Sequence, residues 1–274
     1  MSDVIGIQGG KASYHELAVK QMHPSATIKY FETFKDVFTA LKNSSIDSAL
    51  VALANNRMQF ISDTYELLTS NTEDFVIVGE KYLKVEHALL ALQGGQLSSI
   101  REVYSQAPAL LQCSNFIDNE LPHASIIETH DTADSAEFVS KSRDTSKAAI
   151  ASMQAAKLYG LDVIAKKIQN DKDNITRFIQ LKRRGDDDVD VLKTADKTSM
   201  LLFTPQTAGS LISALLPFQE SGINLSYLQS KVMPNSAFDM MFFVEFEAGM
   251  QEMRSRCTLD ELHSLGHRTK ILVS

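Results

Sequence analysis

Tryptophan is absent from these 274 residues, and cysteine (2), proline (6) and glycine (12) are scarce. So few glycines and prolines exclude collagen-like, Pro-rich and Gly/Ser-linker chains and favour regular elements joined by short turns. Cys113 and Cys257 are far apart and belong to no CxxC pair, which argues against a disulfide framework or a structural zinc site and for a reducing, cytoplasmic setting. No stretch approaches the ~18 consecutive apolar residues of a membrane span, and the first residues carry no secretory-signal pattern. Positive charge is also short: 27 Lys and Arg stand against 34 Asp and Glu, a formal charge of -7. A global basic surface for nucleic acid is therefore missing. Any anionic ligand must be held by local cations and backbone dipoles against the overall field.

What is present is an ordinary globular composition, 44% hydrophobic and 22% charged. The run Lys182-Arg183-Arg184-Gly185-Asp186-Asp187-Asp188-Val189-Asp190 cannot form a core element and reads as a surface linker, placing a domain boundary within 183–197. After it come an apolar strand at 199–203, a helical pattern over 208–221 stopped by Gly222, and strands at 225–232 and 238–246 around a turn at 233–236. A helix at 259–265 and a last strand at 270–273 follow. The order is βαββαβ, the ferredoxin-like arrangement, and a domain this small leaves a sheet face or edge that self-association would cover. Before the linker, strands at 4–8, 27–30, 49–53, 75–78, 88–92, 125–128 and 162–165 alternate with helices at 14–22, 34–42, 63–68, 108–119 and 133–141. That alternation predicts an α/β architecture with mostly parallel sheets, and about 180 residues can divide into two lobes with a ligand cleft between them.

Two segments suggest chemistry. Gln8-Gly9-Gly10-Lys11-Ala12-Ser13 joins the first strand to the first helix, where free N–H groups attract an anion; any tight βα turn would look the same. It is neither a Walker A nor a GxGxxG sequence. Asn174-Ile175-Thr176-Arg177-Phe178 offers a hydroxyl, a guanidinium and a ring in succession. If extended, it puts Thr176 and Phe178 on one side and Arg177 on the other; at a strand's start or in a bend all three line one pocket. A β-prone segment with one solvated arginine is the plainer alternative. No GxSxG, HExxH or EF-hand pattern occurs. The histidines show no ligand spacing, and singly each reads as a surface or satisfied core residue.

In order and spacing, several segments resemble the prephenate dehydratase family with its C-terminal ACT domain, over nearly the whole chain. Gln8-Gly9, Tyr14, Glu16 and Ala18 are similar to that family's QGxxGAYSExA stretch, and Val103-Tyr104-Ser105 with Ala109-Leu110 and Gln112-Cys113 to its VYSHPQALAQC. Ala148-Ala149-Ile150-Ala151-Ser152, Tyr159-Gly160-Leu161 and Asn174-x-Thr176-Arg177-Phe178 resemble its AAIAS…YGL…NxTRF run. Lys197-Thr198-Ser199, Gly222-Ile223-Asn224-Leu225 and Phe242-Phe243-Val244 resemble its ACT segments. The resemblance implies a two-lobed catalytic domain of type II periplasmic-binding-protein fold over 1–182, a linker over 183–197 and a ferredoxin-like ACT domain over 198–274. It implies conversion of prephenate to phenylpyruvate in phenylalanine biosynthesis, without metal or organic cofactor, in a homodimer or homotetramer that binds L-phenylalanine at the ACT domain. By the same resemblance Thr176 meets the leaving oxygen, Arg177 holds a carboxylate and Phe178 packs on the ring. Gln8, Gly9, Ser13, His15, Asn55, Ser105 and Asn174 are the implied substrate contacts, and Gly209, Ser210, Leu211, Asn224, Gln229 and Ser230 the implied effector contacts.

The chain also departs from the family. Gly-Ala-Tyr-Ser is here Ala12-Ser13-Tyr14-His15, Pro-Ile-Glu-Asn-Ser is Ala52-Leu53-Ala54-Asn55-Asn56, and His-Pro-Gln is Gln106-Ala107-Pro108. In the ACT segments, Gly-Ala-Leu is Gly209-Ser210-Leu211 and Glu-Ser-Arg-Pro is Gln229-Ser230-Lys231-Val232. A divergent dehydratase, a paralogue acting on another small carboxylate and a non-enzymatic amino-acid sensor are the readings these substitutions leave open.

Overall fold

The computed structural model describes residues 3–56, 59–185, 196–233 and 240–272. The chain divides into two compact units, Met1–Thr64 with Lys81–Ile179, and Tyr65–Glu80 with Gln180–Ser274.

The first unit runs β1 (Val4–Gln8), α1 (Tyr14–Met22), β2 (Thr27–Phe31), α2 (Phe34–Lys42), β3 (Ser48–Asn55), β4 (Gln59–Phe60) and α3 (Ser62–Ser70), then β5 (Phe75–Lys84). It continues through β6 (Ala88–Ala91), β7 (Glu102–Ser105), α4 (Ala107–Gln112), α5 (Ser114–Glu120), β8 (Ser125–Glu128), α6 (Thr132–Ser142), β9 (Lys147–Ala151), α7 (Met153–Tyr159), β10 (Asp162–Lys166) and β11 (Ile175–Arg183). The unit boundaries fall inside α3, β5 and β11.

Two sheets form, one per lobe. The first has the order β2-β1-β3-β11-β5 with β4 on β3, and the second β10-β6-β9-β7-β8. β1 is parallel to β2 and β3, and β7 to β8 and β9, whereas β6 runs antiparallel to β9 and β10. The second sheet is thus mixed, because β6 enters it in the opposite sense. Its central strands are apolar on both faces. Leu90, Ala149 and Ala151 pack toward α6 and α7, while Leu89, Ala148 and Ile150 pack toward Ile117 of α5. A sheet covered on both faces needs such continuous apolar runs. In the first lobe Ala18 and Val19 of α1 close over Ile5, Ile7, Leu50 and Phe178.

The expected single helix over 108–119 is two helices. Cys113, with φ -112 and ψ 12, ends α4 and starts α5. Strands β7, β9 and β11 and helix α7 complete the alternation beyond the elements expected from periodicity.

The second unit contains β12 (Thr198–Phe203), α8 (Ser210–Glu220), β13 (Leu225–Val232), β14 (Met240–Phe246), α9 (Met253–Ser264) and β15 (Arg268–Ile271), the βαββαβ order expected. Its antiparallel sheet has the order β13-β14-β12-β15. Met200, Leu202, Val244 and Phe246 on one face pack with Ala214, Phe218, Leu259 and Leu262 of the two helices. Residues 65–80, which the sequence places in the N-terminal piece, belong to this unit because their apolar groups and backbone bond within it. Tyr65 packs edge-on to Phe243 at 5.7 Å, and the Ile77 N–H donates to the Leu272 carbonyl at 2.9–3.1 Å geometry typical of a sheet edge, here 3.0 Å. The expected linker is anchored at both described ends: Arg184 donates to the Phe75 and Ile271 carbonyls, and Lys197 pairs with Glu80 at 2.6 Å. Residues 186–195, and 234–236 of the expected turn, lie outside the described residues. Among the described residues no helix is long and apolar enough to cross a membrane.

Candidate active site

A cavity of about 530 Å³ opens in the first unit, lined from the first lobe by Gln8, Ser13, His15, Asn55, Thr176 and Phe178 among others, and from the second by His87, Gln106, Gln112 and Asp131. The loop after β1 reaches it by a left-handed turn. Gly9 has φ +90, its N–H donates to the Phe31 carbonyl at 2.9 Å, and a Cβ there would stand 3.2 Å from Asp131 Oδ2. A side chain at this position would be strained and would crowd the Asp131 carboxylate.

Strand alternation sorts the Asn174–Phe178 segment. Thr176 and Phe178 face the cavity and are 9% and 1% exposed. Arg177 points to the other side of β11, where its guanidinium lies 5.9 Å from the Tyr82 ring centroid, and it does not line the cavity. The carboxylate contact implied for Arg177 therefore has no support in this geometry.

Around Thr176 runs a chain of directed hydrogen bonds. Asn55 Nδ2 donates to Thr176 Oγ1 at 2.9 Å and to Asn174 Oδ1 at 2.8 Å; Asn174 Nδ2 donates to Gln112 Oε1 at 2.8 Å. His87 Nε2 stands 3.0 Å from the same Gln112 oxygen, which fixes it as the protonated nitrogen, since an amide oxygen only accepts. The Tyr14 hydroxyl donates to the Glu86 carbonyl at 2.6 Å, edge-on to His87. Burial holds the His87 imidazole below its ordinary range and the Tyr14 phenol well above its own, so both are neutral at pH 7. Because Thr176 Oγ1 accepts from an amide, its own proton is left to donate, and such a chain polarises each member toward the next.

His15 is held differently. The Ala52 N–H donates to His15 Nε2 at 3.2 Å, and the ring packs against Phe178 at 5.0 Å and Phe34 at 5.6 Å. Burial pushes this imidazole down to about 4.

Positive charge enters through backbone. Ser13 caps α1, and Ser62 and Asp63 open α3. Gln106 precedes α4 without a side-chain cap, and Asp131 caps α6 through the Ala133 and Asp134 N–H groups at 2.7 and 3.4 Å. All five residues line the cavity, so residues at four helix starts border it. A helix start carries partial positive charge, which at α6 is offset by the Asp131 cap. No lysine or arginine among the described residues lines it, whereas Asp63 and Asp131 do.

Among the expected contacts, Gln8, Ser13, His15 and Asn55 come together with Thr176 and Phe178, and Asn174 joins through its amide bonds. Ser105 does not; it is fully buried and donates to the Ile150 carbonyl at 2.7 Å, tying β7 to β9. Gly9 shapes the loop without lining the cavity. Gln112, His87 and Tyr14 are not among the contacts expected from the sequence, although Tyr14 and Gln112 fall within the segments that resemble the family; for His87 the local signal is that it precedes the fully apolar β6. In the second unit Gly209, with φ +85, starts α8, and Ser210 Oγ bonds Thr207 Oγ1 at 2.7 Å. Leu211 follows in the first turn of α8. The Asn224 carbonyl accepts from the Glu247 N–H at 2.9 Å, and Gln229 and Ser230 lie on edge strand β13. Among the described residues no group of His, Cys, Asp and Glu has a metal-binding arrangement.

A family model described as prephenate dehydratase matches residues 5–186. The chain is 31% identical over 272 residues to the bifunctional chorismate mutase/prephenate dehydratase of Escherichia coli K12, covering 98% of this chain and 69% of that one. To arogenate dehydratase/prephenate dehydratase 2 of Arabidopsis thaliana it is 32% identical over 281 residues, covering 98% and 72%. Among solved structures, a quorum-quenching acylase, GqqA, superposes with a TM-score of 0.83 at 27% identity over 98% of this chain and 96% of that one. The prephenate dehydratase of Arthrobacter aurescens in complex with L-Phe gives 0.85 at 22% identity, over 98% and 89%, a likeness of fold. The chain belongs to the prephenate dehydratase family.

Proposed function

We propose that this chain is a prephenate dehydratase, converting prephenate to phenylpyruvate in L-phenylalanine biosynthesis without a metal or organic cofactor. The observation that carries the reading is Thr176 Oγ1: in the cavity, it accepts from Asn55 and retains a proton to give. In the reaction the bond from the ring to its carboxylate breaks and that carbon leaves as CO2. The electron pair moves through the ring, the opposite C–O bond breaks, and the departing oxygen takes a proton and leaves as water. One proton is consumed and the ring becomes aromatic. The Thr176 hydroxyl meets the departing oxygen, and Phe178 excludes water beside the carboxylate, whose loss is favoured by a poorly solvating environment. The substrate is a dianion, and four helix starts supply partial positive charge without a cation that would hold the departing carboxylate too firmly. Purified protein and prephenate are to be followed by the absorbance of phenylpyruvate in alkali; no rate above the acid-sensitive spontaneous background defeats the reading.

A second reading has one observation in its favour. Asp63 and Asp131 line the cavity while no described lysine or arginine does, which suits a substrate bearing an ammonium group. Arogenate, the amino-acid counterpart of prephenate, would then be turned over faster, giving phenylalanine directly; parallel assays of the two substrates separate the readings.

Within this function, 1–182 form the catalytic domain, 183–197 the linker and 198–274 an ACT domain. That domain takes L-phenylalanine along Gly209, Ser210, Leu211, Asn224, Gln229 and Ser230. The protein is a homodimer or homotetramer, supported by the edge of β13, which is unpaired among the described residues, and by its half-exposed Leu228 and Val232. The free thiols, Cys113 buried and Cys257 exposed, suit the cytoplasm. Light scattering before and after Leu228→Lys tests the assembly, and a rise in Tm with added phenylalanine tests the effector.

A further inference from the structure

His15 stands where the family resemblance expects a serine, and the Ala52 N–H settles its tautomer. A backbone N–H can only donate, so Nε2 bears the lone pair and Nδ1 carries the proton. The ring is fixed on three sides, by Ala52, Phe34 and Phe178. Nδ1–H has no acceptor among the described residues, and the side chain lines the cavity. Three other donors lining the cavity are already engaged, Asn55 with Thr176 and Asn174, Tyr14 with Glu86, and Gln8 with the Glu32 carbonyl, and the Thr176 hydroxyl is assigned to the leaving oxygen.

Position says which part of the substrate His15 faces. Thr176 and Phe178 are two residues apart on an extended strand, so their side chains are about 6–7 Å apart on one face. That matches the span of a six-membered ring between its para substituents. With the leaving oxygen at Thr176, the opposite ring carbon, which bears the ring carboxylate and the oxo-acid side chain, comes to Phe178. His15 stacks edge-on against that phenyl ring.

We propose that His15 is a specificity-determining contact, its Nδ1–H donating to an acceptor oxygen at the carboxylate-bearing end of the substrate. The inference rests on the dehydratase reading and deepens it. A single uncharged donor orients that end without the strong ground-state hold of an ammonium or guanidinium. Where the acceptor is the side-chain oxo oxygen, it also favours an oxo acid over an amino acid, whose ammonium at that position only donates.

Two measurements test this. Kinetics with prephenate compare the parent with His15→Phe, which keeps the ring and loses the donor, and His15→Asn, whose amide nitrogen reaches about the Nδ1 position. His15→Phe is expected to raise KM roughly three- to tenfold with kcat nearly unchanged, and His15→Asn to recover most of the loss. An unchanged KM in a folded His15→Phe protein overturns the proposal. The second uses the parent protein labelled with ¹⁵N-histidine and titrated with phenylpyruvate, so it does not depend on a variant folding or on turnover. The Nδ1 resonance of His15 is expected to move while Nε2, held by Ala52, stays in place; a silent Nδ1 at saturation overturns the proposal. Absence of prephenate turnover by the parent would instead count against the dehydratase reading, and the titration would still decide the role of His15.

Discussion

Thr176→Val removes one hydroxyl and keeps the branched shape, so it isolates what that oxygen does. In the structure Thr176 Oγ1 is the acceptor for one Asn55 amide hydrogen, the other contact of that nitrogen being Asn174 Oδ1 at 2.8 Å. Replacing the oxygen by a methyl leaves a polar hydrogen against an apolar surface, at a site 9% exposed, and costs about 1–3 kcal/mol of stability. The catalytic cost is separate. A positioned proton donor is typically worth about 10²–10⁴ in rate, which is about 3–5 kcal/mol on the barrier. Thr176→Val should therefore lower kcat by at least about 10² with KM changed little, since the contact strengthens only as the C–O bond breaks. Thr176→Ser, which restores the hydroxyl on a looser side chain, should recover most of the activity. Phenylpyruvate formation read in alkali supplies the rates, and thermal melts separate the folding cost from the catalytic one. A folded Thr176→Val protein retaining half the parent kcat would refute the assignment of Thr176 and the directed amide chain behind it.

Arg177→Met should destabilise the first unit by about 1–3 kcal/mol, by removing a buried guanidinium from the Tyr82 ring, yet leave KM for prephenate within about threefold; a KM rise of tenfold or more would put Arg177 back on the substrate. Stability should fall on acidification. Burial pushes His15 down to about 4 against an ordinary 6.5, so the unfolded chain binds the proton first; its contribution, on the order of 3 kcal/mol, is intact above pH 6.5 and lost as pH drops toward 4. A flat Tm between pH 7 and 4.5 would contradict this, and His15→Phe should reduce the slope. In the second unit Lys197 Nζ lies 2.6 Å from Glu80 and 3.5 Å from the buried Glu245, so Lys197→Met should cost about 3–5 kcal/mol and the added change Glu245→Gln should recover part of it, as measured by denaturant melts. Finally, ligand binding by helix starts inside a cavity is screened less than binding by surface cations. KM for prephenate should rise less than about threefold between 0.05 and 0.3 M salt; a steep log–log dependence would point to cations outside the described lining.

Much of the fold is legible because it follows short-range patterns. The βαββαβ order emerges from apolar periodicity and from Gly222 as a helix stop, and strands such as β1 and β13 fall where alternation and composition put them. The opposed faces of Thr176 and Arg177 follow from the two-residue period of a strand, and Arg177, implied by resemblance as a carboxylate contact, does not line the cavity. What stays hidden is long-range. The amide chain joins Gln112 to Asn174 across 62 positions and Asn55 to Thr176 across 121. Nothing in the neighbourhood of either partner announces the other: Gln112 falls in a segment that resembles the family, but its pairing with Asn174 is not readable there. Ser105 fails as a contact for a related reason: its sequence neighbourhood resembles a binding segment, but its hydroxyl serves the Ile150 carbonyl. Grouping of residues 65–80 with the C-terminal unit is likewise invisible locally, since Phe75 and Ile77 read as strand residues whichever sheet completes them.

An acidic chain with a formal charge of -7 has to solve the problem of holding an anion, and the expected solution was one arginine plus the backbone near Gly9 and Ser13. The structure shifts the weight onto the backbone. Arg177 does not line the cavity, and residues at the starts of α1, α3, α4 and α6 do. Fixed dipoles suit a decarboxylation better than a mobile cation would, because an ion pair with the departing carboxylate is strongest in the ground state and vanishes as CO2 forms. On the proposed reading, partial charges at these helix starts would hold the dianion without concentrating that penalty on the group that must leave. The two aspartates beside them oppose an anion, so Asp63→Asn should lower KM for prephenate if charge at the cavity wall limits how negative a ligand it takes, and an unchanged KM would refute that.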